Sequence, residues 1–104
     1  MANPSEITST AAFEGVDVNN LRVGSLLDVE TSSRHYQIEC CGGNTIRVSG
    51  HPQYCSSPEA AQLHGSMDDD GRMEVGVIQP GLRLVFFLKN RPITTSKIIG
   101  VHLN

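Results

Sequence analysis

The apolar residues of this chain never run on: they come in stretches of five to eight residues, mostly alternating with polar neighbours and cut by Gly, Pro, Asn or Asp. A period of two residues marks a half-buried strand, because successive side chains point to opposite faces of a pleated backbone. Few windows carry the 3.6-residue period that a helix needs, so an all-β fold is expected.

The alternation assigns faces strand by strand. Over 26–30, Leu27 and Val29 face inward while Asp28 and Glu30 face water. Over 36–41, Tyr36, Ile38 and Cys40 oppose Gln37, Glu39 and Cys41, and Gly42-Gly43-Asn44 then offers a tight hairpin that returns with Ile46 and Val48 inside. The stretch from Gly50 to Ala60 holds Pro52 and Pro58, which cannot donate to a ladder, and reads as a crossing loop. Beyond it, 61–66 and 73–78 flank Asp68-Asp69-Asp70-Gly71, a hairpin signal.

Pro80-Gly81 fits the centre of a type II turn. The strand that follows alternates Leu82, Leu84, Phe86 and Leu88 with Arg83, Val85, Phe87 and Lys89, and should be the most buried. The last strand, 94–103, is entered through Asn90-Arg91-Pro92 and is expected to put Ile99, Val101 and Leu103 on one face. Two segments echo each other: 21–27 and 78–84 share the order apolar, two residues, Gly, one residue, apolar. The echo implies two equivalent turns, each reversing the chain before a long strand.

About six to seven strands in roughly eighty residues predict a small antiparallel β-barrel or a tight sandwich. The barrel is favoured because closure removes edges that so short a chain has no helix to cover. At 104 residues there is one core, assigned to 21–104. The segment 1–20, rich in Ser, Thr, Asn and Ala, is expected to be flexible, with Phe13 and Val16 as its anchors.

Charge narrows the partners. Eleven acidic and eight basic residues give a net charge of -3, and the arginines are scattered, a poor footprint for nucleic acid or anionic lipid. No apolar run approaches the ~18 residues of a membrane span. Three cysteines cannot all pair within one molecule, which suits a reducing, cytoplasmic setting.

Candidate chemistry is sparse. Cys40 (or Cys41), His51, Cys55 and His64 are soft and borderline ligands within twenty-five residues and form the alternative, zinc-type reading, although adjacent strand cysteines point apart. Cys55 four residues after His51 could make an activated thiolate, but no third group orients the pair, and no enzyme activity or cofactor is expected. Ser66, Asp68, Asp70 and Gly71 begin a calcium-loop pattern that fails where Val77 replaces the bidentate Glu. The leading expectation is a non-catalytic binding or interaction module for an unknown protein or small molecule. Its contact residues are expected among Arg34, His35, Arg47, Arg83 and Arg91, and on a Val85 and Phe87 face that could also join two copies.

Overall fold

The turn residues and alternating runs resolve, in a computed structural model that describes residues 15–104, into nine strands. These are β1 (Val16–Asp17), β2 (Leu26–Thr31), β3 (His35–Gly42), β4 (Thr45–Ser49), β5 (Glu59–Met67), β6 (Met73–Val75), β7 (Val77–Ile78), β8 (Arg83–Leu88) and β9 (Arg91–Leu103). One turn of 3-10 helix, Val18–Asn20, follows β1.

Every pairing is antiparallel, in the order β4-β3-β2-β9-β8-β5-β6, and β4 also pairs with β5. That last pairing closes six strands into a ring, with β6 hanging from β5 outside it. The alternation read from the sequence sets the inside of the ring: Leu27, Val29, Tyr36, Ile38, Cys40, Ile46, Val48 and Phe86 all lie in one buried cluster. Tyr36 meets Phe86 edge to face, ring centroids 6.2 Å apart.

The two ends of the ring differ. At one end β1 pairs with β7, Val16 opposite Ile78, so that Val18 and Ile78 enter the core as a plug. Residues 16–20, at the end of the segment expected to be flexible, are thus part of the packed structure. Phe13 and the rest of 1–14 lie outside the described residues. Ser66 anchors the plug from β5: its hydroxyl donates to the Val77 carbonyl at 2.6 Å and accepts the Gln79 N–H at 3.0 Å. The opposite end gathers three connections: 32–34, 50–58 and the Lys89-Asn90 turn.

Three expectations are corrected. Residues 50–58 do not cross the fold; β4 and β5 are neighbours, and the prolines occupy an ordinary, if long, hairpin loop. Ile99 does not share a face with Val101. The pairing of β2 with β9 shifts between Glu30 and Thr31, so Ile98 and Val101 are both inside while Ile99 is 55% exposed. A bulge inserts one residue and reverses the face assignment beyond it. The final strand starts at Arg91 and not at 94, and Pro92 sits inside it opposite Phe87. That position directly follows the closing pair Leu88 and Arg91, where an antiparallel ladder requires no bond from the proline nitrogen.

Candidate functional site

The end opposite the plug is the part of the ring with shape and chemistry. Its loop is organised by His51, whose Nδ1 accepts the backbone N–H groups of Gln53 (3.1 Å) and Tyr54 (3.3 Å). The Cys55 N–H donates to the His51 carbonyl and the Gly50 N–H to the Cys55 carbonyl, both at 2.9 Å, which folds the Cys55 side chain into the core. The imidazole lies 4.5 Å from the Tyr54 ring, centroid to centroid. Tyr54 itself remains 40% exposed.

Facing this loop is the tip of the β8–β9 hairpin. Lys89 and Asn90 both have positive φ, 52° and 64°. A two-residue turn of the primed type I requires this at both central positions, and a lysine there is held against its own preference. Register places Arg91 opposite Leu88 on the inward side of the hairpin. Between loop and hairpin lies a cavity of about 310 Å³ lined by Gln53, Tyr54, Leu88, Lys89, Arg91 and Ile93.

Burial sets the electrostatics of the mouth. Burial pushes the Cys55 thiol above its ordinary value; a backbone hydrogen bond at His51 draws it back, and Glu59 adds to the rise. Burial and then Arg34 lower the His51 imidazole. Nδ1 is engaged by two N–H groups and the Cys55 side chain is buried, so both residues pack within the loop.

The remaining candidates are dispersed. Arg34 stands at the mouth, close enough to lower the Tyr36 hydroxyl that burial raises. His35 lies on the outer surface between Asp28 (3.5 Å) and Glu30 (3.7 Å). Arg47 points outward from β4, opposite Glu39 and Ala60, and Arg83 lies at the plugged end opposite Lys97 and Met67. Phe87 faces outward at 36% exposure, its ring 5.5 Å from that of His64.

Val85, expected to share that open face, is instead 5% exposed. It sits between β5 and β9 where both pairings carry a register shift, and bulges of this kind bend and twist a sheet enough to close an outward position.

The four residues of the metal reading are not gathered. Cys40 is inward on β3, buried, with its thiol raised chiefly by that burial. Cys55 and His51 belong to the mouth loop, and His64 is on the outer face against Phe87. Among the described residues, no three His, Cys, Asp or Glu side chains are grouped as a metal ion would require.

The acidic run is a self-capped hairpin tip. Asp68 Oδ1 accepts the N–H groups of Asp70 and Arg72, both at 2.9 Å, and Lys97 pairs with Asp69 at 3.1 Å. A larger hollow of about 420 Å³ lies beside it, lined by the carboxylates of Asp68 and Glu74 and the guanidinium of Arg72.

Sequence reading missed Gln53, Tyr54 and Lys89. The signal available in the sequence is the two-residue spacer Lys89-Asn90 between two apolar runs. Compared with family models, curated proteins and solved structures, the chain matches none of them.

Proposed function

We propose that the chain is a non-catalytic binding module that meets its partner through the outer surface of β5 and β8, with Phe87 at the contact. The observation that carries this reading is the Phe87 ring, held outward against His64 with Gln62 and Pro92 opposite it in the two flanking strands. An aromatic placed this way contributes more when covered than when wet, since burying apolar area is favourable by about 25 cal/mol per Å². A second copy of the chain is the partner of first choice.

Dispersed positive charge speaks against nucleic acid or anionic membrane as the ligand, because Arg34 sits in the β2–β3 turn at the mouth, Arg47 on β4 and Arg83 at the plugged end. No helix among the described residues is long and apolar enough to cross a membrane. Cys40, Cys41 and Cys55 are all free thiols, and Cys40 and Cys55 are buried, which supports a reducing, cytoplasmic setting.

Sedimentation velocity over a concentration series tests the reading. The wild-type chain is expected to sediment faster as concentration rises, and Phe87→Ser to remain monomeric with its far-ultraviolet spectrum unchanged. A wild-type chain that stays monomeric throughout, or a Phe87→Ser chain that unfolds, would count against a contact role for this ring.

A further inference from the structure

The cavity at the mouth joins two kinds of surface. Leu88 and Ile93, both buried members of the core cluster, supply an apolar floor, and Tyr54 supplies a wall whose ring is already oriented by His51. Lys89 and Arg91 supply positive charge, and no carboxylate lines the cavity. Among the described residues, neither cation takes part in an ion pair; the pairs that form are those of His35 and of Lys97.

Arg91 is the more telling of the two. Of the charged residues in the ring strands, only Glu59 and Arg91 occupy inward register positions; Glu59 lies opposite Val48 and beside Cys55, away from the cavity lining. Its guanidinium is exposed at the rim, above the apolar floor and without a carboxylate partner, which leaves its fork of donors open to a ligand. Lys89 is carried on a backbone conformation that costs free energy, and such costs collect where a side chain is held for use.

From these observations we infer that the mouth cavity binds a small organic anion with an apolar, ring-sized body, its charge met by Arg91 and Lys89 and its body laid between Tyr54 and the Leu88 and Ile93 floor. The volume matches: about 310 Å³ is at the small end of ligand pockets and suits one ring and one anionic group. A carboxylate or phosphate group takes a bidentate bond from arginine, which fixes its orientation. Lys89 also lines the hollow beside Phe87, but Arg91, Tyr54 and the apolar floor do not, so the cavity is tested apart from the Phe87 contact through Arg91.

The test uses the full chain, labelled with ¹⁵N and titrated separately with phenyl phosphate, inorganic phosphate and phenol. Phenyl phosphate is expected to give saturable shifts at the amides of Tyr54, Leu88, Lys89 and Arg91. Inorganic phosphate and phenol should each bind at least about tenfold more weakly, since each lacks one half of the recognition. Arg91→Gln and Lys89→Gln, both exposed and checked for an unchanged fold by their spectra, should each weaken phenyl phosphate by about three- to tenfold.

No saturable shift, or shifts centred on Arg83 or Arg47, would overturn the assignment. Inorganic phosphate binding as tightly as phenyl phosphate would overturn the apolar subsite, and phenol binding as tightly would overturn the anion subsite.

Discussion

Gly24 and Gly81 occupy equivalent positions at opposite places in the chain. Each has φ of 92°, and each N–H donates at 2.7 Å to a carbonyl on the neighbouring strand, Cys40 for the first and Ile98 for the second. The turns match as well: Ser25 donates to Arg22 at 3.0 Å and Leu82 to Gln79 at 3.2 Å, after which β2 and β8 begin. A Cβ added at either glycine would meet nothing within 4 Å. Gly24→Ala and Gly81→Ala should therefore each destabilise only through the backbone, by roughly 1–2 kcal/mol and by similar amounts. Urea midpoints of the two variants check this; a several-fold difference would show that the turns are not equivalent.

Phe86 and Phe87 are adjacent and should behave oppositely. Phe86 has no exposed surface and packs on Tyr36, so Phe86→Ala should cost about 3–5 kcal/mol. Phe87→Ser is expected within about 1 kcal/mol of wild type, as for a partly exposed position. Equal losses in urea denaturation would place Phe87 in the core.

His51 makes the mouth loop sensitive to acid. Its neutral Nδ1 is the acceptor for two N–H groups, and burial and Arg34 lower its affinity for a proton below that of the unfolded chain, near 6.5. The unfolded state then binds more protons, so stability rises with pH through this window. The contribution is complete above 6.5 and is lost as pH falls through the lower folded value. Amide signals of Gln53 and Tyr54 should titrate together with a midpoint below 6.5, and His51→Ala should abolish that titration. A midpoint above 6.5 would contradict the geometry.

Thiol reactivity separates packing from metal binding. Cys41 is half-buried while Cys40 and Cys55 are buried with raised thiols, so Cys41 should alkylate first and the other two only on unfolding. This order should not change when a chelator is added. Faster alkylation of Cys55 with chelator would revive the zinc reading through His51, His64 and Cys40.

The strained turn offers a gain in stability. Replacing Lys89-Asn90 by Asn-Gly suits the left-handed backbone at both positions and should stabilise the chain by about 1 kcal/mol. Thermal unfolding measures it; a loss of stability would mean that the lysine side chain contributes packing.

How far the sequence could be read depended on whether a strand kept its parity. Over β2, β3 and β4 the alternation runs unbroken through the residues that matter, and Leu27, Ile38 and Val48 were assigned correctly because one face of each strand is buried. The paired Gly24 and Gly81 turns were also visible, since a positive φ after Pro80 or Val23 asks for glycine. Ile99 and Val85 were misplaced because the bulges beside them arise from the closing of the ring, and no local pattern announces an extra residue in a neighbouring ladder. The mouth cavity was hidden for a related reason. Tyr54 and Arg91 lie on different hairpins, and what joins them is the stagger of strands around the ring.

The pairing of β2 with β9 has a kinetic side. It sets Leu27 opposite Leu103, so the last seam of the ring must bring together residues from opposite ends of the described chain. The turns between β2 and β3, β3 and β4, and β8 and β9 can form within microseconds, but joining the first strand of the ring to the last waits on the loss of freedom of everything between them. Folding should be slow for a chain of this size, on the scale of milliseconds to seconds, with the seam as its final step. Until that step is taken, the edges of β2 and β9 stand open to each other's counterparts in neighbouring molecules, and refolding yield should fall as concentration rises.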